Sequence, residues 1–265
     1  MARKRIPKWL VAASQHPGGL PPGEKPDWIS RVLTRAGAVT SAEVAAALTA
    51  GRATINGKPA RAPLTLARAT DDIRFDGERV EFRPATRVLM FHKPANTICT
   101  ASDPDGHRTV YEVLAPALSP QLARYGWHCV GRLDLDTTGL LLFTNDERFV
   151  GHATSPASHL PKRYLATINA DATDAQLEPI RKGIDLHDGP ARPAKATFRA
   201  PGLVELTLSE GRNHQVKRML GAVGLPVRAL HREAVGALEL DVPMGECREL
   251  TPEEIRVALR FEPAP

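Results

Sequence analysis

The sequence predicts an α+β protein in which a mixed, largely antiparallel sheet with flanking helices follows a small α/β module. Two short helical patterns and two tight-turn signals come first along the chain. Short apolar strands then alternate irregularly with helical segments, whereas a parallel sheet would require regular βαβ units. The 265 residues, of which 42% are hydrophobic, are enough for a core in each region.

Charge is concentrated at the amino terminus. Residues 1–25 contain five basic residues and one acidic residue, so this stretch carries +4 of the total net charge of +5. Proline and glycine are frequent there as well, and we predict a disordered basic tail that contacts polyanions without specificity. A tail that only improves solubility is the alternative. A second short tail is predicted at residues 260–265.

Cysteine usage and hydropathy indicate a cytoplasmic protein. Cys99, Cys129 and Cys247 are far apart and form no Cys-x-x-Cys pair, so we expect neither a disulfide framework nor a zinc site. No apolar run approaches the ~20 residues that span a bilayer. The amino terminus also lacks the apolar segment of a signal peptide, and we expect no membrane partner.

The first ordered domain is predicted at residues 26–83. Apolar residues at helical spacing indicate a first helix that ends at Gly37. Thr40 and Glu43 have the spacing of a capping box for a second helix, and Gly51 is its expected stop. The apolar period then changes from helical spacing to two, which predicts strands.

Two hairpins follow, with turns at Asn56-Gly57 and Asp76-Gly77. A helix pair before an Asn-Gly-Lys hairpin, here completed by Lys58, resembles the small RNA-binding domain first described in ribosomal protein S4. The resemblance implies an S4-like α/β RNA-binding domain.

One feature of that domain departs from the S4-like pattern. Its members usually carry a basic pair after the serine that opens the second helix, whereas Ser41 is followed here by Ala42 and Glu43. We hypothesise that the basic tail supplies the RNA-binding energy that this helix lacks. That contribution would weaken steeply with salt.

The second domain is predicted at residues 84–259. A strand that begins at residue 88 should stop at His92-Lys93-Pro94, because proline interrupts strand pairing. A helix is expected near the carboxyl end, from Val216 onward, where apolar residues return at helical spacing. The other predicted elements are strands at 129–133, 140–144, Lys162–Ile168 and Leu203–Leu208, and a helix at Val110–Leu114.

Two carboxylates occupy the turn between the strands at 129–133 and 140–144. Asp134 and Asp136 lie between apolar runs, and a carboxylate near a core is costly unless it is paired or has a task. A catalytic site is one interpretation of this turn, and a solvated acidic turn is the other.

A cluster of cations begins the later helix. Arg212, His214 and Lys217 lie close to the expected helix start, where free backbone amides favour a phosphate or a carboxylate. A solvated basic helix face is the alternative.

The two clusters together carry a specific resemblance. Residues 130–146 are similar to the catalytic motif of pseudouridine synthases, and residues 210–219 are similar to their later basic motif. Between and before them, residues 161–164 match the segment with the active-site tyrosine and residues 91–94 match the early Lys-Pro motif. The resemblance implies the pseudouridine synthase catalytic fold and an RNA substrate, without cofactor or metal.

The carboxyl-terminal segments narrow the family. Residues 230–233 and 245–251 are similar to the RsuA-like branch, which modifies small-subunit ribosomal RNA, and the match covers residues 26–258. The implied partner is ribosomal RNA, alone or within a partly assembled subunit. A large-subunit ribosomal RNA target is the alternative, because related branches have almost the same motifs.

The resemblance also assigns roles to the two acids. Asp134 is implied to act on the sugar of a flipped uridine, either as a nucleophile or as a base, and the sequence leaves both open. Asp136 is assigned to turn geometry, for instance by capping the amides of Thr137 and Thr138.

Other site residues follow from the matching motifs. Lys217 is implied to keep Asp134 ionised, and Tyr164 to stack on the base and offer a hydroxyl. Arg132 is implied to fill the gap that the flipped nucleotide leaves. Without the motif, Tyr164 would be an ordinary strand aromatic and Arg132 a surface charge. Further RNA contacts are assigned to Lys93, Arg212, His214, Gln215 and Arg218; for His214, as for His231, a structural role is the alternative to an RNA contact.

Two alternatives belong to other functional classes. Asp134 and Asp136 resemble the Asp-x-Asp motif of haloacid-dehalogenase-type phosphatases, which need magnesium and a later acidic pair, but no fitting downstream cluster is present. An RNA-binding assembly factor without catalysis is the second alternative, and the intact set of Asp134, Tyr164 and Lys217 disfavours it.

Overall fold

The computed structural model describes residues 25–169 and 172–264. Apart from Lys25, the predicted basic tail lies outside these residues. The predicted tail at residues 260–265 is packed as far as Ala264, which exchanges backbone and hydroxyl hydrogen bonds with Thr86. Phe261 makes an edge contact with the Phe149 ring. Across the described ranges, no helix is long and apolar enough to cross a membrane.

The amino-terminal module contains two helices and two small sheets around its own core. Strands β1 and β4 pair with each other, and the second sheet has the order β3-β2-β5-β6. The elements are β1 (Asp27–Trp28), α1 (Ile29–Arg35), α2 (Val44–Thr49), β2 (Ala53–Ile55), β3 (Lys58–Pro59), β4 (Leu66–Ala67), β5 (Ile73–Phe75) and β6 (Glu78–Arg79).

Both helix ends of this module were predicted correctly. Gly37 and Gly51 adopt φ values of +69° and +76°, and the following amides donate to Leu33 and Ala47. This is the Schellman ending, which favours glycine because an L side chain resists a positive φ. The two hairpin turns also form at Asn56-Gly57 and Asp76-Gly77.

The predicted capping box at Thr40 does not form. The Thr40 hydroxyl donates to the Glu43 carboxylate at 2.7 Å, and no cap bond reaches the helix. Residues 41–43 instead make a turn, and Glu43 has helical φ and ψ before α2 begins at Val44. Thr40 and Glu43 therefore have capping-box spacing, but their side chains bond to each other before the helix begins.

A nine-stranded sheet forms the centre of the second region. Its main order is β13-β14-β10-β15-β9-β7-β17, with β16 beside β15 and β8 beside β9. The β15–β9 pairing is parallel and the other pairings in this sheet are antiparallel, which confirms the predicted fold class. A separate hairpin joins β11 and β12.

These strands and helices have the following bounds. The strands are β7 (Val88–Lys93), β8 (His128–Val130), β9 (Thr138–Thr144), β10 (Lys162–Ile168), β11 (Asp185–Leu186), β12 (Gly189–Pro190), β13 (Lys195–Ala200), β14 (Leu203–Leu208), β15 (Val227–Val235), β16 (Leu238–Glu239) and β17 (Cys247–Glu249). The helices are α3 (Val110–Leu114), α4 (Glu147–Thr154), α5 (Asp174–Lys182), α6 (Gln215–Ala222) and α7 (Pro252–Val257).

The centre of the large sheet is buried on both faces. Alternate residues of β7 and β9 enter two different apolar clusters, as the two-residue period of a strand requires. One cluster contains Leu89, Phe91, Leu141 and Phe143, and the other contains Val88, Met90, Leu140 and Leu142. The two clusters fix β9 and therefore the end of the turn that precedes it.

The predicted bounds of helices and strands are most accurate where the sequence pattern is short and has clear end signals. The bounds of α3, β10 and β14 are as predicted. The strand predicted at 129–133 is shorter, His128–Val130, because Gly131 turns the chain with a φ of +73°. The strand that was predicted to stop at His92-Lys93-Pro94 extends through His92 and Lys93 and ends just before Pro94.

Gly139 joins three strands at the middle of the sheet. It pairs with Lys93 of β7 and with Arg232 of β15, and its φ is +114°. A Cβ at this position would lie 2.3 Å from the Arg232 carbonyl oxygen. No side chain can be placed there without moving the β15 backbone.

We expect Gly139→Ala to lower the free energy of unfolding by about 3 kcal/mol, because both the overlap and the positive φ oppose a side chain. Gly151→Ala is the matched control, since Gly151 lies in exposed helix α4 with no atom near the added Cβ. That control should be neutral or stabilising by up to ~1 kcal/mol. Urea unfolding measures both, and equal stabilities of the two variants would contradict this account.

Candidate active site

The acidic turn lies between β8 and β9. These strands are antiparallel neighbours, and the chain leaves β8 through the left-handed Gly131. The Thr137 amide donates to the Asp134 carbonyl at 3.1 Å, which closes the turn. Leu133 is anchored from the other side, because its amide donates to the Cys99 sulfur at 3.3 Å. The Asp134 side chain is therefore presented from a backbone that is fixed at both ends.

A buried lysine holds the turn from beneath. Lys93 is 0% exposed, and its ammonium donates to the carbonyl oxygens of Pro94, Leu135 and Thr137 at 3.0, 3.2 and 2.8 Å. Burial lowers the pKa of this ammonium. All three protons are used inside the protein: Lys93 holds the backbone of the acidic turn, and this geometry leaves no donor free for the predicted RNA contact.

A cavity of about 380 Å³ opens beside Asp134. This volume is within the ~300–1,000 Å³ that is typical of small-molecule sites. The turn, the ends of β10 and β15 and the loop before α6 form its walls. Of the predicted site residues, Arg132, Asp134, Tyr164, Arg212, His214 and Gln215 line it.

Two basic side chains approach the Asp134 carboxylate. His214 Nε2 and Lys217 Nζ each lie 3.5 Å from one of its oxygens, and the Asp134 side chain is 27% exposed. Neither contact is a short hydrogen bond. The carboxylate oxygens therefore stay accessible from the cavity.

Lys217 binds Asp136 more closely than Asp134. Its ammonium donates to the two oxygens of Asp136 at 2.6 and 2.8 Å, and this bond holds the pKa of Asp136 below its ordinary value. No bond from the Thr137 or Thr138 amide to this carboxylate is present in the described residues. The predicted capping role of Asp136 is therefore wrong: it positions Lys217 between the two acids.

The loop before α6 is held by its own side chains. Gln215 is buried, accepts the Arg212 amide at 2.9 Å and donates to the Glu210 carboxylate. The Gln215 amide group is therefore used within the loop, although the residue also lines the cavity, and its RNA contact stays a prediction. His214 adopts a φ of +49° at the helix start, and its side chain is 57% exposed.

Arg212 and Arg218 bind the β11–β12 hairpin. The Arg212 guanidinium donates to the Asp188 carboxylate and to the carbonyls of Gly189 and Pro190. Arg218 donates to the same carboxylate at 2.6 Å, and the pair of arginines lowers the pKa of Asp188. Both arginines were predicted as RNA contacts, but their closest partners are in this hairpin.

Tyr164 and Arg132 both line the cavity. Tyr164 is only 9% exposed, packs in the apolar core and faces the cavity from β10. Arg132 is exposed at the cavity wall. His231 donates to or accepts from Thr138 at 2.8 Å and makes an edge contact with His92, which is a structural role.

Sequence reasoning missed two cations of the cavity wall. Lys162 and Arg232 both line the cavity, and their strands, β10 and β15, are neighbours in the sheet. Burial, with a smaller contribution from the charge of Arg232, lowers the pKa of Lys162 to about 8. The available signal was a basic residue at an inward position of each strand, but strand pairing was needed to bring the two together.

Potential metal ligands lie elsewhere. Within the described ranges, the one cluster of three such groups is Asp103, Asp105 and His107. Asp103 already accepts hydrogen bonds from the amide and the ring of His107. Neither Asp134 nor Asp136 belongs to this cluster, which disfavours the magnesium-dependent phosphatase.

Comparison with known families agrees with this geometry. The family model described as RNA pseudouridylate synthase matches residues 87–222, slightly more than half of the chain. The chain belongs to this family. Its matched region contains Asp134, Tyr164 and Lys217, which the fold brings to one cavity or its edge. The chain is accordingly a pseudouridine synthase, an isomerase.

Two curated relatives and one solved structure are similar over most of their length. Ribosomal small subunit pseudouridine synthase A of Yersinia pestis is 38% identical over 231 residues, covering 86% of this chain and 96% of the relative. Ribosomal large subunit pseudouridine synthase B of Haemophilus influenzae is 34% identical over 263 residues, covering 94% and 70%. A crystal structure of a pseudouridylate synthase has a TM-score of 0.60 at 32% identity, covering 87% and 99%.

We expect Lys93→Met to destabilise the protein by about 2–4 kcal/mol, because three buried carbonyls lose their donor. The exposed Lys182→Met in helix α5, whose lysine is 73% exposed, is the control and should change stability by under ~0.5 kcal/mol. Urea unfolding compares them. A Lys93→Met variant as stable as the control would show that the ammonium does not hold the turn.

Lys162 gives a pH-dependent prediction for stability. Its pKa is about 8 in the folded protein and about 10.4 when unfolded. Below pH 8 Lys162 is charged in both states, and burial of that charge opposes folding. Between pH 8 and about 10.4 the unfolded state binds more protons than the folded state, so this destabilisation declines as pH rises. Any stability advantage of Lys162→Met should therefore be largest at pH 7 and shrink toward pH 10. Unfolding at several pH values checks this, and an advantage that grows with pH would contradict it.

Proposed function

We propose that this enzyme converts a specific uridine of small-subunit ribosomal RNA to pseudouridine. The observation that carries the proposal is the Asp134 carboxylate, which faces a nucleoside-sized cavity and has Lys217 and His214 near it but no short bond. Its oxygens are accessible to a substrate in the cavity. The cavity is reached by a nucleotide that has left its stack.

The reaction needs a carboxylate at the sugar. The bond between C1′ of the ribose and N1 of the uracil breaks, the base turns, and C5 of the base bonds to C1′. Asp134 either bonds to C1′ and later leaves, or takes the C2′ proton to form a glycal and returns it. Both routes require the Asp134 carboxylate beside the sugar.

The neighbouring residues support that chemistry. Lys217, positioned by Asp136, provides positive charge beside Asp134, and the His214 ring lies next to the same carboxylate. Tyr164 offers a flat ring for the base and a hydroxyl at the cavity wall. Arg132, exposed at the same wall, is in a position to occupy the gap left in the RNA by the flipped nucleotide.

RNA binding extends beyond the cavity in this proposal. The module at residues 26–83 is the proposed S4-like RNA-binding domain, and residues 84–259 are the proposed catalytic domain. The RNA-binding module contacts the catalytic domain through the Asn145 amide, which donates to the Arg35 carbonyl, and through an ion pair between Arg31 and Glu147. The basic tail would add charge for phosphates. With a ribosomal RNA substrate, the proposed location is the cytoplasm.

The small subunit is favoured over the large one by the relatives. The small-subunit enzyme of Yersinia pestis has the higher identity and is covered almost completely, whereas 70% of the large-subunit enzyme is covered. Large-subunit ribosomal RNA is the second candidate, since that relative matches 94% of this chain. The choice between them is tested directly by the RNA that the enzyme modifies.

Asp134→Asn should lower the rate of pseudouridine formation at least ~1,000-fold, because the isosteric amide can neither attack C1′ nor take a proton. RNA affinity should change little, since phosphate contacts supply most of it. Asp105→Asn is the control, because Asp105 is exposed and does not line the cavity, and it should retain the rate.

The measurement is chemical mapping of pseudouridine in transcripts of both ribosomal RNAs and in partly assembled subunits. Modification of the small-subunit RNA by the wild type supports the proposal. Modification only of the large-subunit RNA selects the second candidate. RNA binding without any pseudouridine would instead support the assembly-factor alternative.

A further inference from the structure

Arg232 is a buried cation in the wall of the catalytic cavity. It is 4% exposed, and its Nε donates to the Leu140 carbonyl at 2.7 Å. In the described ranges no carboxylate forms an ion pair with it, and its two terminal nitrogens form no hydrogen bond. The guanidinium therefore has at least two donor groups that the protein leaves unused.

Such an arrangement is costly for folding. A buried charge is normally paired, because desolvation is not repaid otherwise. The positive charge of Arg232 is felt nearby, since it contributes to the lowered pKa of Lys162 and of Lys93. An unpaired cation inside a cavity that receives a substrate is best explained by a substrate group that carries or develops negative charge.

The register of the sheet places Arg232 beside Tyr164. The two residues are cross-strand partners on β15 and β10, and both line the cavity that contains Asp134. Lys217 donates to Asp136, Lys162 donates to the Leu160 carbonyl, and Arg132 is exposed at the cavity wall. Arg232 is thus the buried cavity cation with free donors next to the tyrosine against which the base would lie.

We propose that the Arg232 guanidinium binds the carbonyl oxygens of the uracil and stabilises the base as it leaves the sugar. The inference rests on the proposed function. When the C1′–N1 bond breaks, its electron pair goes to the base, and the charge spreads from N1 onto the two carbonyl oxygens. The same anion then attacks C1′ through C5, the C5 proton is lost, and N1 gains a proton. Donors fixed where charge develops need no reorganisation during the reaction.

The test compares Arg232→Met with Arg232→Lys under single-turnover conditions on the RNA that the wild type modifies. Arg232→Met should lower the rate about 100-fold with RNA affinity changed less than about threefold, as for the loss of one oxyanion donor. Arg232→Lys restores the charge but not the Nε bond to Leu140, and it should recover at least about tenfold of that loss. Arg228→Met, on the exposed part of the same strand, is the control.

A substrate with 5-fluorouridine at the target separates a chemical role from a structural one. Fluorine makes the base a better leaving group, so the Arg232→Met penalty on loss of the N-linked nucleoside should be smaller than with uridine. Mass spectrometry after nuclease digestion measures it. Equal penalties on both substrates, or no rescue by lysine, would overturn the inference. A wild type that makes no pseudouridine would contradict the proposed function instead.

Discussion

The Lys93 ammonium is the interaction on which the site depends. It lies at the end of β7, has no solvent contact, and donates to the carbonyls of Leu135 and Thr137, on either side of Asp136. A turn that must project a carboxylate cannot be stabilised by packing that carboxylate away. The protein fixes the backbone instead, from the buried side, and leaves the side chain facing the cavity. The two apolar clusters around β7 and β9 hold the lysine itself in place.

The basic residues in and around the site have different roles. Lys93 serves the backbone, Lys217 is shared between Asp136 and Asp134, and Arg232 keeps free donors in the cavity. Arg212 and Arg218 are bound by Asp188. Residue type alone cannot assign these duties, because each depends on which acceptors the fold places within hydrogen-bonding distance. This explains why several basic residues that share a motif do not share a role.

Local signals were sufficient for much of the fold. Gly37, Gly51 and the Asn56-Gly57 and Asp76-Gly77 turns formed as predicted, because a positive φ is a property of a few residues and needs no distant partner. The capping box at Thr40 failed for a related reason: its spacing is also compatible with a simple turn. Strands β13, β15 and β17 were not predicted, since each is stabilised mainly by its neighbours in the sheet.

The sequence by itself determined the order of the chemistry along the chain: an acidic turn, a strand with Tyr164 and a later basic helix start, which together identify the family. The tertiary structure decided the roles. In the fold, Lys93 and Gln215 are buried, and Lys217 contacts both Asp136 and Asp134. Arg232, on a strand distant in sequence, lines the same cavity as Asp134. Motif spacing records covalent neighbours, whereas burial, pairing and free hydrogen-bond donors depend on contacts between strands far apart in sequence. Only the fold specifies those contacts.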